Sequence, residues 1–380
     1  MDVTRVALVN LTTTTKIGGV ETFVWELARN LALRDIGVTV IGGQSHSPPA
    51  RKMIPGVLVE TVPYLDRARI RRIPLLGRRY GLTKLLERLS FGLRARTVIE
   101  HGMFDIVHIH KPFDFPLATW IGTRTGARII YSAHGRDFFP GDRRFTRAIT
   151  TFTACSAYNA AEVRARYDRA AHVIYNGIDI ERFSPREADM AWRQRITGGS
   201  APVILWVGRL ERWKGTIDAL RALALLDCPA HLVIVGDGPE SSRLHDAARS
   251  LGIAHRVHLL GARDHATLSD VYASADIVVG TSFANETFGM ALAEASACAR
   301  PVVATRFGGF PEVVREGKTG LLIPPRDPQA LAAALRRLLH DPEQRRAMGE
   351  AGRAHVVAHF SWPVVTDHVL RLYGEALGED

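Results

Sequence analysis

Two glutamates and two cations in the second half of the chain have the types and spacing to hold an extended anionic ligand. Arg209 and Lys214 follow a predicted strand, where side chains of α/β folds meet their ligands. Together they could neutralise a diphosphate, the arginine by bidentate contact and the lysine as a point charge. Glu286 and Glu294 are eight residues apart, which is about 12 Å at helical rise. Since glycosidase pairs lie at most roughly 9.5 Å apart, this pair better suits two hydroxyl-bearing parts of one ligand.

Three strand-to-helix turns could bring free backbone N–H groups close to such a ligand. The first contains Gly18 and Gly19, with Glu21 in the first turn of the next helix. The second, at residues 236–239, imitates a dinucleotide fingerprint, but Ser241 stands where its third glycine belongs, so an NAD site is weakly supported. The third is the predicted helix start at residues 288–290, whose N–H groups would point at a bound anion.

His134 ends a predicted strand in the first half of the chain, so its ring would project toward a ligand. The alternative is a purely structural histidine, which is the commoner case at a strand end. No serine or cysteine nucleophile accompanies it in a triad-like pattern, and a hydrolase is therefore poorly supported.

Short β-branched runs alternate with amphipathic helices, which predicts an α/β fold with parallel sheets and right-handed crossovers. Because the runs are almost continuously apolar, the strands should be buried on both faces. The predicted strands are residues 5–10, 38–41, 106–110, 129–134, 152–155, 173–176, 203–207, 232–235, 257–259, 277–279, 302–304 and 321–323. The predicted helices include residues 20–33, 216–226, 240–251, 288–297 and 328–339.

This alternation runs through the chain twice. Turn residues at 176–179 and a weakly patterned connection that includes 198–200 precede a fresh strand at Val203. We therefore expect a doubly wound domain over 1–180, a second over 201–358, and a C-terminal helix in 359–380 that packs back on the first. Ligands should bind at the carboxyl ends of the strands, in the cleft between the domains.

Length and composition agree with two domains. The chain has 380 residues, of which 46% are hydrophobic, enough to bury two cores. Its three cysteines are far apart and odd in number, so we expect buried thiols in a reducing compartment, with no disulfide framework and no zinc site. No signal-peptide pattern and no apolar run of membrane-spanning length is found, which predicts a cytoplasmic location.

The formal net charge of +10 is concentrated in residues 67–96, which contain ten basic residues and one acidic residue. We call this segment the basic stripe. Five leucines recur in it at helical spacing: Leu82, Leu85, Leu86, Leu89 and Leu93. They could cover the sheet or face lipid, while the cations predict an anionic membrane surface or a phosphorylated acceptor as partner. Aromatic residues are not interleaved as in nucleic-acid-binding segments, so no nucleic acid is expected.

Together these motifs resemble the family 4 retaining glycosyltransferases, which have the GT-B fold of two Rossmann-like domains separated by a cleft. The most specific part is Glu286 and Glu294 followed by residues 300–304 and 308–312. Further matches are residues 18–19 with Glu21, 176–179, 208–210, 214–215 and 236–239. The resemblance covers nearly the whole chain. Its departures are Asn285 and Thr287, where small residues are common, and Ala299, where glycine is common.

The resemblance implies a nucleoside diphosphate sugar donor, held mainly by the second domain without a metal or other cofactor. Arg209 and Lys214 would bind the diphosphate, Glu294 the ribose, and Glu286 the sugar hydroxyls near the reacting carbon. His134 would lie beside the transferred sugar, and Gly19 would approach the phosphates. The catalytic residues would thus be Glu286, His134, Arg209 and Lys214. The remaining implied donor-binding residues are Gly208, Gly236, Val257, Phe288, Gly289 and Met290.

The implied reaction is retaining transfer of a hexose from a UDP- or GDP-linked donor to an acceptor hydroxyl. We expect the acceptor to be a lipid-linked glycan or lipid headgroup in cell-surface polysaccharide or glycolipid synthesis, at the inner membrane face; the alternative is a soluble small molecule or glycan. The alternatives from other classes are a GT-B epimerase or phosphorylase and a catalytically silent binding subunit. An epimerase would consume the donor without an acceptor.

Overall fold

The computed structural model describes residues 3–16, 18–45, 54–73, 80–135 and 137–378. The chain forms two compact units. Unit 1 comprises Met1–Gly177 together with Trp362–Asp380, and unit 2 comprises Ile178–Ser361. Each unit contains one sheet in which every strand pair is parallel, so the predicted architecture of two Rossmann-like α/β domains is confirmed.

Unit 1 is built on a seven-stranded sheet. Its strands are β1 (Arg5–Val9), β2 (Gly37–Gly43), β3 (Val57–Val62), β4 (Ile106–Ile109), β5 (Arg128–Ala133), β6 (Thr151–Ala154) and β7 (His172–Val173). Their order across the sheet is β3-β2-β1-β4-β5-β6-β7. The direction of winding reverses between β1 and β4, and the residues that follow these two strands lie where α/β folds bind ligands.

Strand β3 is absent from the sequence prediction because it lies at the edge of the sheet and pairs only with β2. Its side chains alternate in exposure, with Leu58 and Glu60 exposed and Val62 buried. The prediction relied on continuous apolar runs, which mark strands covered on both faces, as at β4. An edge strand with one solvent-exposed face has no continuous apolar run, so the pattern does not identify it.

Among the described residues of unit 1, five α-helices lie between the first seven strands. They are α1 (Gly19–Ala32), α2 (Arg67–Ile70), α3 (Tyr80–Gly102), α4 (Phe115–Gly122) and α5 (Ala157–Tyr167). Helix α3 buries Phe91, Ala95 and Ile99 in the core. The five leucines of the basic stripe are not among its fully buried residues, and Leu93 is 60% exposed. The leucines therefore lie beside the face that packs on the core, and do not form it.

Unit 2 is built on a six-stranded sheet. Its strands are β8 (Val203–Val207), β9 (His231–Val235), β10 (Val257–Leu259), β11 (Ile277–Gly280), β12 (Val302–Thr305) and β13 (Gly320–Ile323), in the order β10-β9-β8-β11-β12-β13. Its helices are α6 (Met190–Thr197), α7 (Thr216–Ala224), α8 (Ser241–Ser250), α9 (Leu268–Ala273), α10 (Met290–Ala297), α11 (Phe310–Val313), α12 (Pro328–His340) and α13 (Pro342–Phe360). All six strands were predicted from the sequence to within one residue.

The last helix, α14 (Trp362–Leu377), belongs to unit 1. Trp362, Val365 and Val369 join the core that α1 forms with the sheet. The Tyr373 hydroxyl lies 2.7 Å from Nδ1 of the buried His108 in β4. Helix α14 is thus part of the first unit's interior.

None of the helices in the described ranges is long and apolar enough to cross a membrane. All three cysteines are free: Cys155 and Cys298 are buried, and Cys228 is half-buried.

Candidate active site

Glu286 lies in the loop between β11 and α10 and is buried. Its Oε2 accepts hydrogen bonds from Lys214 Nζ at 2.7 Å and from Ser282 Oγ at 2.9 Å. Lys214 ends the short 3-10 turn that follows β8. Strand β8 pairs with β11, the strand that precedes Glu286. Because neighbouring parallel strands end at the same edge of a sheet, the fold brings together two predicted catalytic residues that are 72 positions apart.

Hydrogen bonds through Thr281 connect the loop that carries Glu286 with the turn that carries Lys214. Trp206 Nε1 donates to Thr281 Oγ1 at 3.0 Å, and that hydroxyl donates to the Lys214 carbonyl at 2.8 Å. Thr305 Oγ1 donates to the Ser282 carbonyl at 2.5 Å. These bonds fix the backbone on both sides of the ion pair, so the pair occupies a preorganised position.

Two glycines of the predicted motifs are needed by internal packing. At Gly308 (φ +59°) a Cβ atom would lie 1.8 Å from the Glu286 carbonyl oxygen, and at Gly236 (φ +143°) it would lie 1.7 Å from the Gly208 carbonyl oxygen. The N–H of Gly309 donates to the Glu286 carbonyl at 3.2 Å. The close approach predicted at Gly236 is therefore an approach to this chain's own backbone, and Gly308 holds the Glu286 loop.

Glu294 lies within α10, is 5% exposed, and is held by two donors. Tyr272 Oη donates to its Oε2 at 2.9 Å, and His265 Nε2 lies 2.9 Å from its Oε1. Burial, together with the nearby Glu294 carboxylate, raises the pKa of Tyr272 well above its usual value, so the phenol stays a donor. The side chain predicted to bind ribose is thus fixed in one orientation.

Helix α10 begins at Met290, two residues later than predicted. Gly289 precedes it with a left-handed backbone (φ +110°), which keeps the preceding residues out of the helix. The Phe288 ring is buried against Phe360, with ring centres 5.4 Å apart, so this side chain serves the core. The separation of about 12 Å expected between the glutamates assumed continuous helical rise and does not apply across this loop.

Arg209 and Val257 are placed differently from each other. Arg209 follows Gly208 at the carboxyl end of β8 and is exposed. Val257 begins β10 and pairs with Leu232, so it lies two residues, about 7 Å, before the carboxyl edge of its strand at Leu259. At that edge the Gly236 N–H bonds to the Gly261 carbonyl at 2.9 Å. Gly261, and not Val257, therefore adjoins Gly236.

In unit 1, His134 and His110 follow the neighbouring strands β5 and β4. His110 Nδ1 lies 3.2 Å from His134 Nε2, and Asn176 also hydrogen-bonds the His134 side chain. Burial lowers the pKa of His134 to about 3, with Lys111 and His108 adding to the effect. His134 is therefore neutral at physiological pH and contacts its neighbours as an uncharged ring.

The turn before α1 places Gly18 and Gly19 differently. A Cβ atom at Gly18 would lie 2.5 Å from the Glu21 carboxylate, which accepts a hydrogen bond from Thr12 Oγ1. At Gly19, a Cβ atom would meet no atom of the described residues within 4 Å. A side chain at Gly18 would thus displace the Glu21 carboxylate, while the predicted approach of a ligand stays open at Gly19.

Part of the basic stripe is engaged inside unit 1. Three of its cations form ion pairs: Arg67 with Glu87 (2.7 Å), Lys84 with Asp137 (2.8 Å) and Arg88 with Asp114 (3.0 Å). Five others in the described ranges are exposed: Arg69, Arg71, Arg72, Arg94 and Arg96. Arg78 and Arg79 lie outside the described residues. A cavity of about 230 Å³ between α3 and α4 is lined by Leu93, Arg96 and Trp120, among others.

Sequence reasoning did not single out His265, Tyr272 or His110. His265 and Tyr272 contact Glu294 from segments that carry no recognised motif, and only their closeness in space identifies them. His110 could have been found, because it ends a strand as His134 does. In the described ranges no group of three or more His, Cys, Asp or Glu side chains could hold a metal ion.

Two doubly wound parallel sheets are the architecture of the GT-B fold, and here an acidic and a basic side chain meet at the carboxyl edge of the second. Residues 17–182 match the model described as Glycosyltransferase Family 4, and residues 191–355 match that of Glycosyl transferases group 1. A relative from Geodermatophilus obscurus, named D-inositol 3-phosphate glycosyltransferase, is 32% identical over 95% of this chain and 86% of its own. The chain therefore belongs to glycosyltransferase family 4.

Solved structures agree on the fold. Sucrose-phosphate synthase from Thermosynechococcus elongatus has a TM-score of 0.82 at 21% identity, with 99% of this chain and 100% of that one covered. HepE of Anabaena in complex with UDP has a TM-score of 0.79 at 22% identity, with 98% and 100% covered. At these identities the likeness establishes the GT-B fold alone.

Proposed function

We propose that this glycosyltransferase moves a hexose from a UDP-linked donor to an acceptor hydroxyl with retention of the anomeric configuration. The observation that carries the proposal is the Lys214 to Glu286 contact of 2.7 Å at the carboxyl edge of the unit 2 sheet. It joins a cation suited to a diphosphate with a carboxylate suited to sugar hydroxyls. UDP is favoured as the donor nucleotide because HepE, which shares the fold, binds UDP and UDP-glucose.

In this proposal the leaving diphosphate is neutralised by Lys214 and the exposed Arg209, and no metal ion is needed. Lys214 must then exchange its Glu286 contact for a phosphate oxygen. The released Glu286 carboxylate accepts hydrogen bonds from the sugar and stabilises positive charge at the anomeric carbon. Glu294 accepts from the ribose.

The transfer step breaks the bond between the anomeric carbon and the leaving phosphate oxygen. The new bond to the acceptor oxygen forms on the same face of the sugar. The acceptor proton passes to the leaving phosphate oxygen, so that charge and atoms balance. Neutral His134 assists by hydrogen bonding beside the sugar, and exclusion of water limits hydrolysis of the donor.

Of the two acceptor classes, we favour a soluble phosphorylated small molecule. The relatives that match along most of this chain are named for D-inositol 3-phosphate. Three cations of the basic stripe are also engaged in ion pairs within unit 1, which leaves fewer for a membrane surface.

A lipid-linked glycan or lipid headgroup is the second candidate, with the enzyme bound peripherally to the inner membrane face. Its support is the set of exposed arginines in the basic stripe, one of which, Arg96, lines the same cavity as Leu93 and Trp120. Each exposed cation near an anionic surface contributes about 1 kcal/mol.

The first experiment is thermal unfolding of the full chain with UDP, GDP, ADP and their glucose conjugates, with and without EDTA. A ligand at 100 times its dissociation constant adds about 2.7 kcal/mol, an easily measured shift. We expect UDP-glucose or UDP to stabilise most, and EDTA to have no effect. No shift with any nucleotide would overturn the proposal, and a shift abolished by EDTA would overturn the metal-free donor site.

The acceptor is then tested by UDP release from the stabilising donor. D-inositol 3-phosphate and anionic vesicles that carry a lipid-linked sugar are added separately. Release with the soluble phosphate alone supports the favoured class, and release with vesicles alone supports the lipid acceptor. Conversion of the donor without any acceptor would instead indicate an epimerase-type activity.

A further inference from the structure

His265, one of the two residues that hold Glu294, is itself held by a further residue. Arg182 Nη1 lies 3.2 Å from His265 Nδ1. An arginine has only donors, so His265 Nδ1 must accept, and the neutral ring carries its proton on Nε2. Nε2–H then donates to Glu294 Oε1. The order Arg182 to His265 to Glu294 therefore has a single direction of donation.

The same contacts limit the movement of the His265 ring. The ring of Phe183 packs against it edge to face, with centres 5.0 Å apart. Arg182 is anchored in turn, because its backbone N–H donates to Asp179 Oδ1 at 3.0 Å and its guanidinium lies 3.4 Å from Asp179 Oδ2. His265 remains 40% exposed at the side chain, so one side of the Glu294 contact is open to solvent.

An ionised carboxylate offers about four lone-pair directions. Tyr272 and His265 use one on each oxygen of Glu294, and two directions remain. A vicinal diol supplies two hydroxyl donors from adjacent carbons. A carboxylate held by internal donors can meet such a diol without reorienting, which lowers the entropic cost of binding.

We propose that His265 is a positioning residue for the donor nucleotide, which fixes the Glu294 carboxylate to accept the two hydroxyls of a ribose. Arg182 sets the tautomer that this role requires. The inference rests on the proposed function, because it assumes that the donor is a ribonucleotide bound at Glu294. It adds His265 and Arg182 as determinants of selectivity for ribose over deoxyribose.

The test is calorimetric titration of the full chain with UDP, 2′-deoxy-UDP and 3′-deoxy-UDP. For the unaltered protein we expect each missing hydroxyl to weaken binding about ten- to a hundredfold, as for a hydrogen bond to a charged group.

In His265→Leu this preference for UDP over its deoxy analogues should fall below about threefold. In His265→Gln, whose amide N–H can replace Nε2–H, the preference should be largely restored. His340→Leu, at an exposed position that ends α12, is the matched control and should keep the full preference.

Arg182→Met is the second variant and does not alter the ring itself. It should give an intermediate preference, because His265 is then free to adopt the other tautomer. Equal preference in His265→Leu and the unaltered protein would overturn the inference while leaving the proposed function intact. UDP binding with no preference for ribose in the unaltered protein would overturn the ribose contact of Glu294, and this inference with it. Failure to bind any nucleotide would overturn the proposed function itself.

Discussion

The Glu286 side chain illustrates how a residue's partners define its chemistry. In this structure its carboxylate is satisfied by Lys214 and Ser282, at 2.7 and 2.9 Å. A diphosphate that binds Lys214 must compete with this carboxylate. The two predicted catalytic groups therefore restrain each other in this structure, and under the proposed function donor binding separates them.

Glu286→Gln should remove that competition. The amide keeps the shape but not the negative charge, so we expect UDP to bind about two- to tenfold more tightly, since part-exposed ion pairs are worth roughly 1 kcal/mol. Sugar transfer should fall at least about a hundredfold, because no carboxylate remains at the sugar. Calorimetry and UDP-release kinetics measure the two effects. Ser282→Ala is the control, with the charge retained. Weaker UDP binding in Glu286→Gln would show that the carboxylate helps to hold Lys214 for the phosphate.

At the scale of elements, helix α10 and its flanking turns explain two departures from the family pattern. Asn285, just before Glu286, has a left-handed backbone (φ +52°), which asparagine tolerates better than most residues. Ala299, just after the helix, has φ +54°, which alanine adopts only at a cost. Glycine adopts this conformation without that cost. This explains why glycine is common at this position in the family.

Ala299→Gly should therefore stabilise the protein. The left-handed conformation costs an L-residue roughly 1–2 kcal/mol, which glycine avoids. The greater freedom of glycine in the unfolded chain offsets about 0.4–1 kcal/mol of this stabilisation. We expect a net gain of about 0.5–1 kcal/mol in the free energy of unfolding, measured with urea. Ala297→Gly, at the last helical position of α10, should destabilise instead. Destabilisation by both changes would contradict the strain assigned to Ala299.

At the scale of the whole molecule, the chain leaves unit 2 after Ser361, and its last helix, α14, packs in unit 1. Helix α14 places Tyr373 in the interior of unit 1, where its hydroxyl meets His108, 265 residues earlier in sequence. Burial lowers the pKa of His108 to about 3, so the ring is neutral and needs neutral partners. Its other nitrogen lies 2.7 Å from Ser132 Oγ. The integrity of unit 1 therefore depends on the last residues of the chain.

Tyr373→Phe should lower the free energy of unfolding by about 1–3 kcal/mol, since it leaves a buried nitrogen of His108 without a partner. Urea unfolding measures this. A double-mutant cycle with His108→Gln provides the control, because glutamine can replace Nε2 toward Ser132 but not Nδ1 toward Tyr373. In that background the loss should largely disappear. An equal loss in both backgrounds would mean that the hydroxyl acts through some other contact.

The sequence by itself determined the architecture and the identity of most candidate residues. Buried parallel strands are continuous apolar runs, and the turns that follow them carry glycine and charge, so both can be recognised locally. Strand β8 and the cations after it, or β11 and Glu286, needed no other part of the chain to be located.

Only the tertiary structure decided what these residues contact. The order of strands in the sheet places Lys214 against Glu286, and the packing around α10 places His265 and Tyr272 on Glu294. In unit 1, the packing of α3 likewise places three cations of the basic stripe in ion pairs. Such contacts join residues far apart in sequence, and no local pattern encodes them, because they depend on which strands become neighbours and which faces are buried.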